Sequence, residues 1–271
     1  MKKITASVVL YNTAQEEVLK CLALLLSSRH VSLVFVVDNS HVSTSAYQEL
    51  DGVVYIHAPE NLGYGPGHNF AIRHVQNRLS EYHLVMNTDV SFDPNIFNDL
   101  VKFMDNNSDI ALSSPFVVND DGEDGGCLKY SPSPIDLIVR MLPHYKFLKS
   151  FRDRLNLRYK SGVSVVFQPY ISGCFMLFRK KILRSVGDFD DNFFMYPEDI
   201  DVTRRIWSVS QAVCLPELQI VHSHRAESKK SLKMLIIHAF NMVKYFNKWG
   251  WLKDAERKQL NSKCDKLNQI Y

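Results

Sequence analysis

The sequence predicts an α/β fold built on a mostly parallel central sheet flanked by helices. Three observations carry that expectation. Continuous apolar runs of strand length alternate with amphipathic stretches of helical period, the pattern of strands covered on both faces. The composition, 46% hydrophobic and 23% charged over 271 residues, is that of a globular chain with length enough for a sizeable core. Polar residues gather where four successive strands end: Tyr11-Asn12, Asp38-Asn39, Asn61 to Asn69, and Asn87-Thr88-Asp89. In open α/β sheets the ligand site lies beyond the carboxyl ends of the strands.

In chain order, ITASVVLY (4–11) reads as the first strand. Its apolar run soon meets Asn12, Gln15, Glu16 and Glu17, so the basic start opens a buried strand and not a signal peptide. A helical pattern covers roughly 14–28, then VSLVFVVD (31–38) and VVYIHA (53–58) follow as strands. The glycine-rich ENLGYGPGHNFAI (60–72) leads into a helix running to about residue 80. YHLVMNTDV (82–90) is the fourth strand, Pro94 opens the next helix, and DIALSSPFVV (109–118) is the fifth strand. NDDGEDGG (119–126) reads as an exposed turn. Residues 134–160 mix apolar and basic positions at helical spacing, broken at Pro143. YISGCFMLFRK (170–180) returns to strand character, and KKILRSVGDFD holds a short helix ending at Gly187. A further helix opens near Pro197, and residues 229–271 read as mostly helix.

The five cysteines are scattered without a CxxC pair, which excludes a zinc knuckle or a disulfide framework and points to reduced thiols in a cytoplasmic protein. No apolar stretch approaches the ~20 residues of a membrane span. The net charge of +3 conceals an asymmetry. Residues 134–160 carry seven Lys/Arg against two Asp, and 229–271 carry ten against three Asp/Glu, so the remaining body is acidic. Two basic segments on an acidic body suit an anionic partner or surface. No nucleic-acid motif accompanies them.

Several residue groups carry possible chemistry. Asp89, at a strand end, can hold Mg²⁺ or Mn²⁺ against phosphate oxygens, or can simply cap the turn before the next helix. Gly63, Gly65 and Gly67 allow close backbone approach to a ligand, and the helix after them favours an anion; an ordinary glycine-rich loop is the plainer reading. Asp38 can accept hydrogen bonds from a base or ribose, or act as a turn residue. His222 and His224 can complete a metal shell, and Arg225 can meet phosphates. In FFMYPEDIDV (193–202) three acids crowd beside aromatics. At a helix start, Glu198 and Asp199 lie near the positive end of the dipole, and Asp201 pairs with Arg205 at i,i+4. Glu198 and Asp199 are then the candidate general base.

The motifs VVLYN, VVDNS, NLGYGPGHN, MNTDV, SGCFMLFRK, FFMYPEDIDVTRRI and IVHSHRAES, in that order, resemble the family 2 glycosyltransferases of GT-A fold, bacterial rhamnosyltransferase-like enzymes in particular, over about residues 4–230. The resemblance implies a domain over 1–228, with a Rossmann-like nucleotide-binding half and an acceptor-binding half. A basic, aromatic helical extension over 229–271 would pack on or beside it. It implies that Tyr11, Asn12 and Asp38, with Asn39 beside them, hold the base and ribose. NLGYGPGHN, with Gly63 and the closing Asn69, would be the nucleotide-binding loop. Asn87 stands where the first aspartate of a DxD motif often is, Thr88 follows, and Asp89 is the retained metal ligand. Gly173 would come close to the donor sugar, Asp199 would be the catalytic base with Glu198 in support, and His222 would meet the metal or diphosphate.

The implied reaction is inverting transfer of a sugar, rhamnose being one candidate, from a dTDP- or UDP-sugar to a hydroxyl of a saccharide acceptor. It would use Mg²⁺ or Mn²⁺ and serve cell-surface polysaccharide synthesis such as O-antigen or capsule. The acceptor in this family is often lipid-diphosphate-linked, at the cytoplasmic membrane face. Leu137, Ile138, Met141, Leu142, Phe147 and Phe151, set among Arg and Lys, and YFNKWGW (245–251) would then lie on anionic lipid, or else pack as solvated helices on the domain. A sugar-phosphate nucleotidyltransferase would need a GxGxR-type loop after the first strand, where YNTAQEEV stands, and a dehydrogenase would need GxGxxG there. A non-catalytic nucleotide-sugar-binding protein would not need the acid pair.

Overall fold

The structure, a computed structural model, describes residues 3–44, 46–74, 80–141, 149, 151, 154–157, 159, 162–223 and 232–269. The strands are β1 (Ile4–Leu10), β2 (Val31–Asp38), β3 (Val53–His57), β4 (Tyr82–Met86), β5 (Val90–Ser91), β6 (Ile110–Val118), β7 (Val166–Phe167), β8 (Phe175–Arg179) and β9 (Gln211–His222). The helices are α1 (Gln15–Leu26), α2 (Tyr64–His74), α3 (Ile96–Asn106), α4 (Pro134–Met141), α5 (Lys180–Val186), α6 (Glu198–Trp207), α7 (Leu232–Trp249) and α8 (Ala255–Leu267).

One sheet carries the chain, in the order β3-β2-β1-β4-β8-β6-β9-β5, with β7 on β9. The β1–β2, β1–β4, β2–β3 and β6–β9 pairs are parallel. β8 runs antiparallel between β4 and β6. It begins at the edge where the parallel strands end, so it carries the chain back across the sheet. The sheet is therefore mixed in its second half, where the apolar run of 170–180 alone did not set a direction.

β1 is buried almost throughout because it lies mid-sheet: Ile4, Ala6, Val8 and Leu10 join a core with Val18, Leu22 and Leu25 of α1. Its polar side chains are internally satisfied. Ser7 Oγ lies 2.7 Å from His68 Nδ1 and 2.9 Å from His83 Nε2, and Thr5 Oγ1 lies 3.1 Å from His83 Nδ1. Burial holds both imidazoles neutral, His83 down to about 3. The fourth strand ends at Met86, earlier than its apolar run predicts, because the chain turns at Thr88-Asp89 after a last bond from Asn87 N to Cys174 O (3.0 Å). The chain then re-enters as β5 along β9, setting Val90 opposite His222.

The glycines of 63–67 differ from the expectation of a ligand loop. Gly65 and Gly67 lie inside α2 and serve helix packing. A Cβ on Gly65 would stand 3.2 Å from Cβ of Glu198 and of Phe189, and one on Gly67 would stand 2.9 Å from Val9 Cγ2. Close approach is required, but the neighbour is protein.

α7 and α8 close over α6. Phe193, Ile200, Met242, Tyr245 and Phe246 form one buried cluster, and Leu260 and Cys264 of α8 join Ile206 and Trp207 in another. Between them Arg204, 5% exposed, donates to both oxygens of Asp254 (2.7 and 2.9 Å) and to Tyr245 Oη (3.1 Å), and lies over Trp249 at 4.0 Å. Asp254 also caps α8 by accepting from Arg257 N. All five cysteines are buried and free.

Breaking a dry ion pair leaves an uncompensated charge, whereas an exposed pair is largely screened. Arg204→Ala should cost about 3–5 kcal/mol of unfolding free energy. Arg73→Ala, which loses a half-exposed pair with Asp191, should cost about 0–1 kcal/mol. Urea unfolding of both variants measures the difference, and equal losses would contradict this account of the Arg204 pair.

Candidate active site

The polar strand ends do converge on one edge. Asn12 takes φ 52° and its N–H donates to Ser40 Oγ (2.8 Å), while Asn39 N–H donates to Leu10 O (2.9 Å). This stitches the ends of β1 and β2 together and leaves the Tyr11 ring 48% exposed above them. Asp38 is buried: Oδ1 accepts from Ser40 N (2.9 Å) and Oδ2 from Tyr55 Oη (2.8 Å). Asn39 donates to Gly63 O (2.9 Å), and its own Oδ1 is buried with no partner.

Two of the expected loop residues are occupied structurally. Gly63 takes φ 90°, and a Cβ there would fall 2.0 Å from Phe194 O, which also accepts from Tyr64 N (2.8 Å). Only glycine suits both the dihedral and the contact. Asn69 Nδ2 donates to Phe189 O and Asp191 Oδ1, and Oδ1 accepts from Phe189 N. Its side chain binds α2 to the 189–191 loop, so its bonds go to protein and not outward.

Asn87, Thr88 and Asp89 turn at the end of β4. Asp89 Oδ1 lies 3.1 Å from His222 Nε2, Asn87 Nδ2 lies 3.3 Å from the same nitrogen, and Ser223 N donates to Asp89 O. Residues 133 apart in sequence meet because β5 pairs with β9. Burial lowers the affinity of His222 for a proton, but hydrogen bonds to Asp89 and Cys174 more than offset it and push the imidazole up to about 10. Thr88 Oγ1 is turned away, donating to Glu17 (2.6 Å). Among the described residues, no three His, Cys, Asp or Glu side chains group as a metal shell. His224 and Arg225 lie outside the described residues.

The acid pair sits where α6 begins. Asp199 Oδ2 accepts from Gly173 N (3.0 Å) and Oδ1 from Ile200 N (2.8 Å). Glu198 is 4% exposed, its Oε2 has no partner, and its stem lies against Gly65. Burial first, and the neighbouring Asp199 second, push Glu198 up to about 8. Burial also raises Asp199, against the bonds from Gly173 and Ile200. The two carboxyls thus differ: Asp199 is part-exposed and fixed by backbone N–H groups, and Glu198 is enclosed and protonated at neutral pH.

Tyr64 was passed over by sequence reasoning. It opens α2, and its hydroxyl donates to Gly173 O (2.7 Å), bracing the residue that holds Asp199. Its signal was its place inside NLGYGPGHN, which the glycines overshadowed. Tyr170, which also hydrogen-bonds Asp199, and Cys174, beside His222, were missed because YISGCFMLFRK reads as a strand first.

Comparison with known proteins adds to this geometry. A family model described as Glycosyl transferase family 2 matches residues 5–187. The chain is similar to the low-salt glycan biosynthesis hexosyltransferase Agl10 of Haloferax volcanii, 25% identical over 201 residues, 73% of this chain and 60% of that protein. It is also similar to an N-acetylglucosaminyl-diphospho-decaprenol L-rhamnosyltransferase of Mycobacterium tuberculosis, 24% identical over 220 residues, 75% of this chain and 70% of that protein. Among solved structures, GalNAc-T7 with UDP, GalNAc and Mn²⁺ aligns with a TM-score of 0.60 at 11% identity, over 97% of this chain and 47% of that one. The mannosyltransferase PcManGT from Pyrobaculum calidifontis, in complex with GDP-Man and Mn²⁺, aligns with a TM-score of 0.57 at 15% identity, over 98% and 75%. The fold is therefore GT-A, and the chain spans 60% of the length of the Haloferax relative.

The enclosed glutamate makes a sign-definite prediction. Between its unfolded value near 4.5 and its folded value near 8, the folded protein holds the Glu198 proton and the unfolded chain does not. Stability should therefore fall as pH rises through that window. Glu198→Gln, which mimics the protonated form, should match wild type below the window and exceed it in stability above. Urea melts across the window test this, and parallel curves for the two proteins would refute it.

Proposed function

This chain belongs to glycosyl transferase family 2, and we propose that it is an inverting hexosyltransferase. It moves a sugar from a nucleoside diphosphate to a hydroxyl of a saccharide acceptor. The observation that carries this reading is the Asp199 carboxylate: part-exposed, raised in pKa by burial, and aimed by Gly173 N and Ile200 N at the edge where the strands end. A general base needs that combination of reach and affinity.

In this reading Asp199 accepts the proton of the attacking hydroxyl as the new glycosidic bond forms and the nucleoside diphosphate departs from the opposite face. Its residual charge also steadies the positive character growing at the sugar carbon. Glu198, enclosed and protonated, supports Asp199 without adding a second charge. Tyr64 and Gly173 hold the base in place through a chain of two bonds. Tyr11, Asn12, Asp38 and Asn39 line the end of β1 and β2 where the nucleotide would lie. The buried, unpartnered Asn39 Oδ1 is an acceptor in want of a donor, which a base or ribose supplies.

The residues also fit a divalent cation, Mg²⁺ or Mn²⁺. Asp89 offers a carboxylate oxygen and His222, once the ion displaces its proton, an imidazole nitrogen at a single point, a donor set that leaves most of the shell to diphosphate oxygens and water. When bound, such an ion neutralises the leaving diphosphate. The donor we favour is a dTDP- or UDP-sugar, rhamnose being supported by the likeness to the mycobacterial rhamnosyltransferase. That relative's name specifies a lipid-diphosphate-linked saccharide acceptor, and we take the same class here. The setting is cell-surface polysaccharide synthesis, O-antigen or capsule, at the inner face of the cytoplasmic membrane. Residues 229–271 act with the GT-A domain of 1–228 as the extension that closes the acceptor side.

A panel of nucleotide sugars, with donor hydrolysis followed in Mg²⁺ or Mn²⁺, tests the activity directly; no hydrolysis of any member would refute it. Asp199→Asn should lower transfer at least about a hundredfold while nucleotide affinity, measured by calorimetry, stays within about twofold. Near-wild-type turnover would remove Asp199 as the base. Asp89→Ala should weaken nucleotide-sugar binding by about tenfold or more in Mn²⁺. In chelator the two proteins should bind alike, and the assignment fails if wild type binds equally with and without metal.

A further inference from the structure

We propose that the outward face of α7, with the adjoining α4, seats the protein on the surface of an anionic lipid bilayer. The inference rests on reading the acceptor as lipid-linked.

The face is anomalous for a helix in water. Leu235, Ile236, Phe240 and Val243 recur at helical spacing and are all exposed, Ile236 at 59% and Phe240 at 61%. The opposite side of the helix, Met242, Tyr245 and Phe246, is already buried in the core. A helix apolar on both sides lacks a partner on one of them. Trp251 and Leu252 continue the exposed apolar surface past the helix end, with Trp251 Nε1 bonded to Asn247 (2.9 Å). From Leu235 to Asn247 this stripe runs roughly 18 Å along the helix. α4 adds Ile135 and Ile138, both more than half exposed, while Leu137 packs against the cluster that contains Met242 and Tyr245. The exposed residues of the two helices therefore belong to neighbouring elements.

Charge selects the occupant. Lys244 Nζ lies over the exposed Phe240 ring at 4.9 Å, Lys253 is exposed just past Leu252, and α7 contains no acid. Two copies laid face to face would oppose like charges, whereas acidic headgroups complement them. Among the described residues no helix is long and apolar enough to cross a membrane, so the contact is with the surface.

Position gives the contact a purpose. His238 of α7 packs against Tyr196, the rings tilted by 53° with centroids 4.8 Å apart, and Asn241 donates to Met195 O (2.8 Å). Those residues immediately precede Glu198 and Asp199. A bilayer resting on the outward face of α7 would lie one helix diameter, ~10 Å, from the segment that leads into the candidate base.

The test is sedimentation with vesicles, either of phosphatidylcholine alone or of phosphatidylcholine and phosphatidylglycerol in equal parts, at low and high salt. Wild type should sediment with the acidic vesicles at low salt and be largely released at high salt. The double variant Ile236→Glu/Phe240→Glu should lose about tenfold in the bound fraction. It should keep the wild-type melting temperature and wild-type donor hydrolysis. Should that variant unfold, Ile135→Glu/Ile138→Glu on α4 takes its place, with the same loss expected. Absence of binding to acidic vesicles at low salt, undiminished binding by the folded variants, or a solution dimer that these substitutions dissociate would each overturn the proposal. Donor hydrolysis is read separately, so vesicle binding without hydrolysis would count against the enzymatic reading alone.

Discussion

The buried carboxylate of Asp201 is the constraint around which the site is arranged. It is fully enclosed, and an isolated charge there would be costly. Arg205 reaches one oxygen (2.8 Å), while Lys248 and Trp249 Nε1 reach the other (2.7 and 2.8 Å). Each partner is engaged elsewhere as well. Arg205 binds the carbonyls of Val186 and Asp188, and Lys248 binds Asp190. One acid thus ties α6 to the 186–190 turn and to the end of α7. Removing one partner leaves an oxygen of a buried carboxylate short of its bonds, so the three segments depend on one another.

That rigidity explains how two further acids are tolerated three and two residues earlier. Glu198 and Asp199 start α6, where the helix dipole and free backbone N–H groups favour negative charge. Even so the pair does not carry two charges at neutral pH. The better-solvated Asp199 takes the hydrogen bonds, and Glu198 keeps its proton. The division arises from a difference of exposure between neighbours on one helical turn.

Much of this was legible in the sequence for a simple reason: it is local. The strands β1, β2, β3 and β6 are apolar runs long enough to declare themselves, and Gly187 marks the end of α5 with a φ of 90°. Asp201 and Arg205 pair at i,i+4, which needs only the helix. What could not be read was tertiary. Lys248 and Trp249 lie far along the chain from the acid they complete. The direction of β8 depends on which sheet edge the chain leaves from. Gly65 and Gly67 looked like a ligand cradle because glycine signals close approach without saying to what, and here it is Glu198, Phe189 and Val9. Asn69 misled in the same way, since a buried amide satisfied by a loop 120 residues away looks in sequence like one awaiting a ligand. The meeting of Asp89 with His222 was suggested by family likeness and has its physical cause in the β5–β9 pairing.

The contacts across the site span long stretches of chain: 109 residues from Tyr64 to Gly173, 120 from Asn69 to Phe189, and 50 from Arg204 to Asp254. Such links form late, because a chain must close a large loop before any of them is rewarded. The β1–β4 half is made first, and its parallel pairs use no strand from beyond β4. Asp190 and one oxygen of Asp201 gain their partners Lys248 and Trp249 only once α7 has been made. The donor-side edge and the acid pair can therefore be outlined before α7 exists, and the last helix supplies the charge that locks the buried acid beneath them.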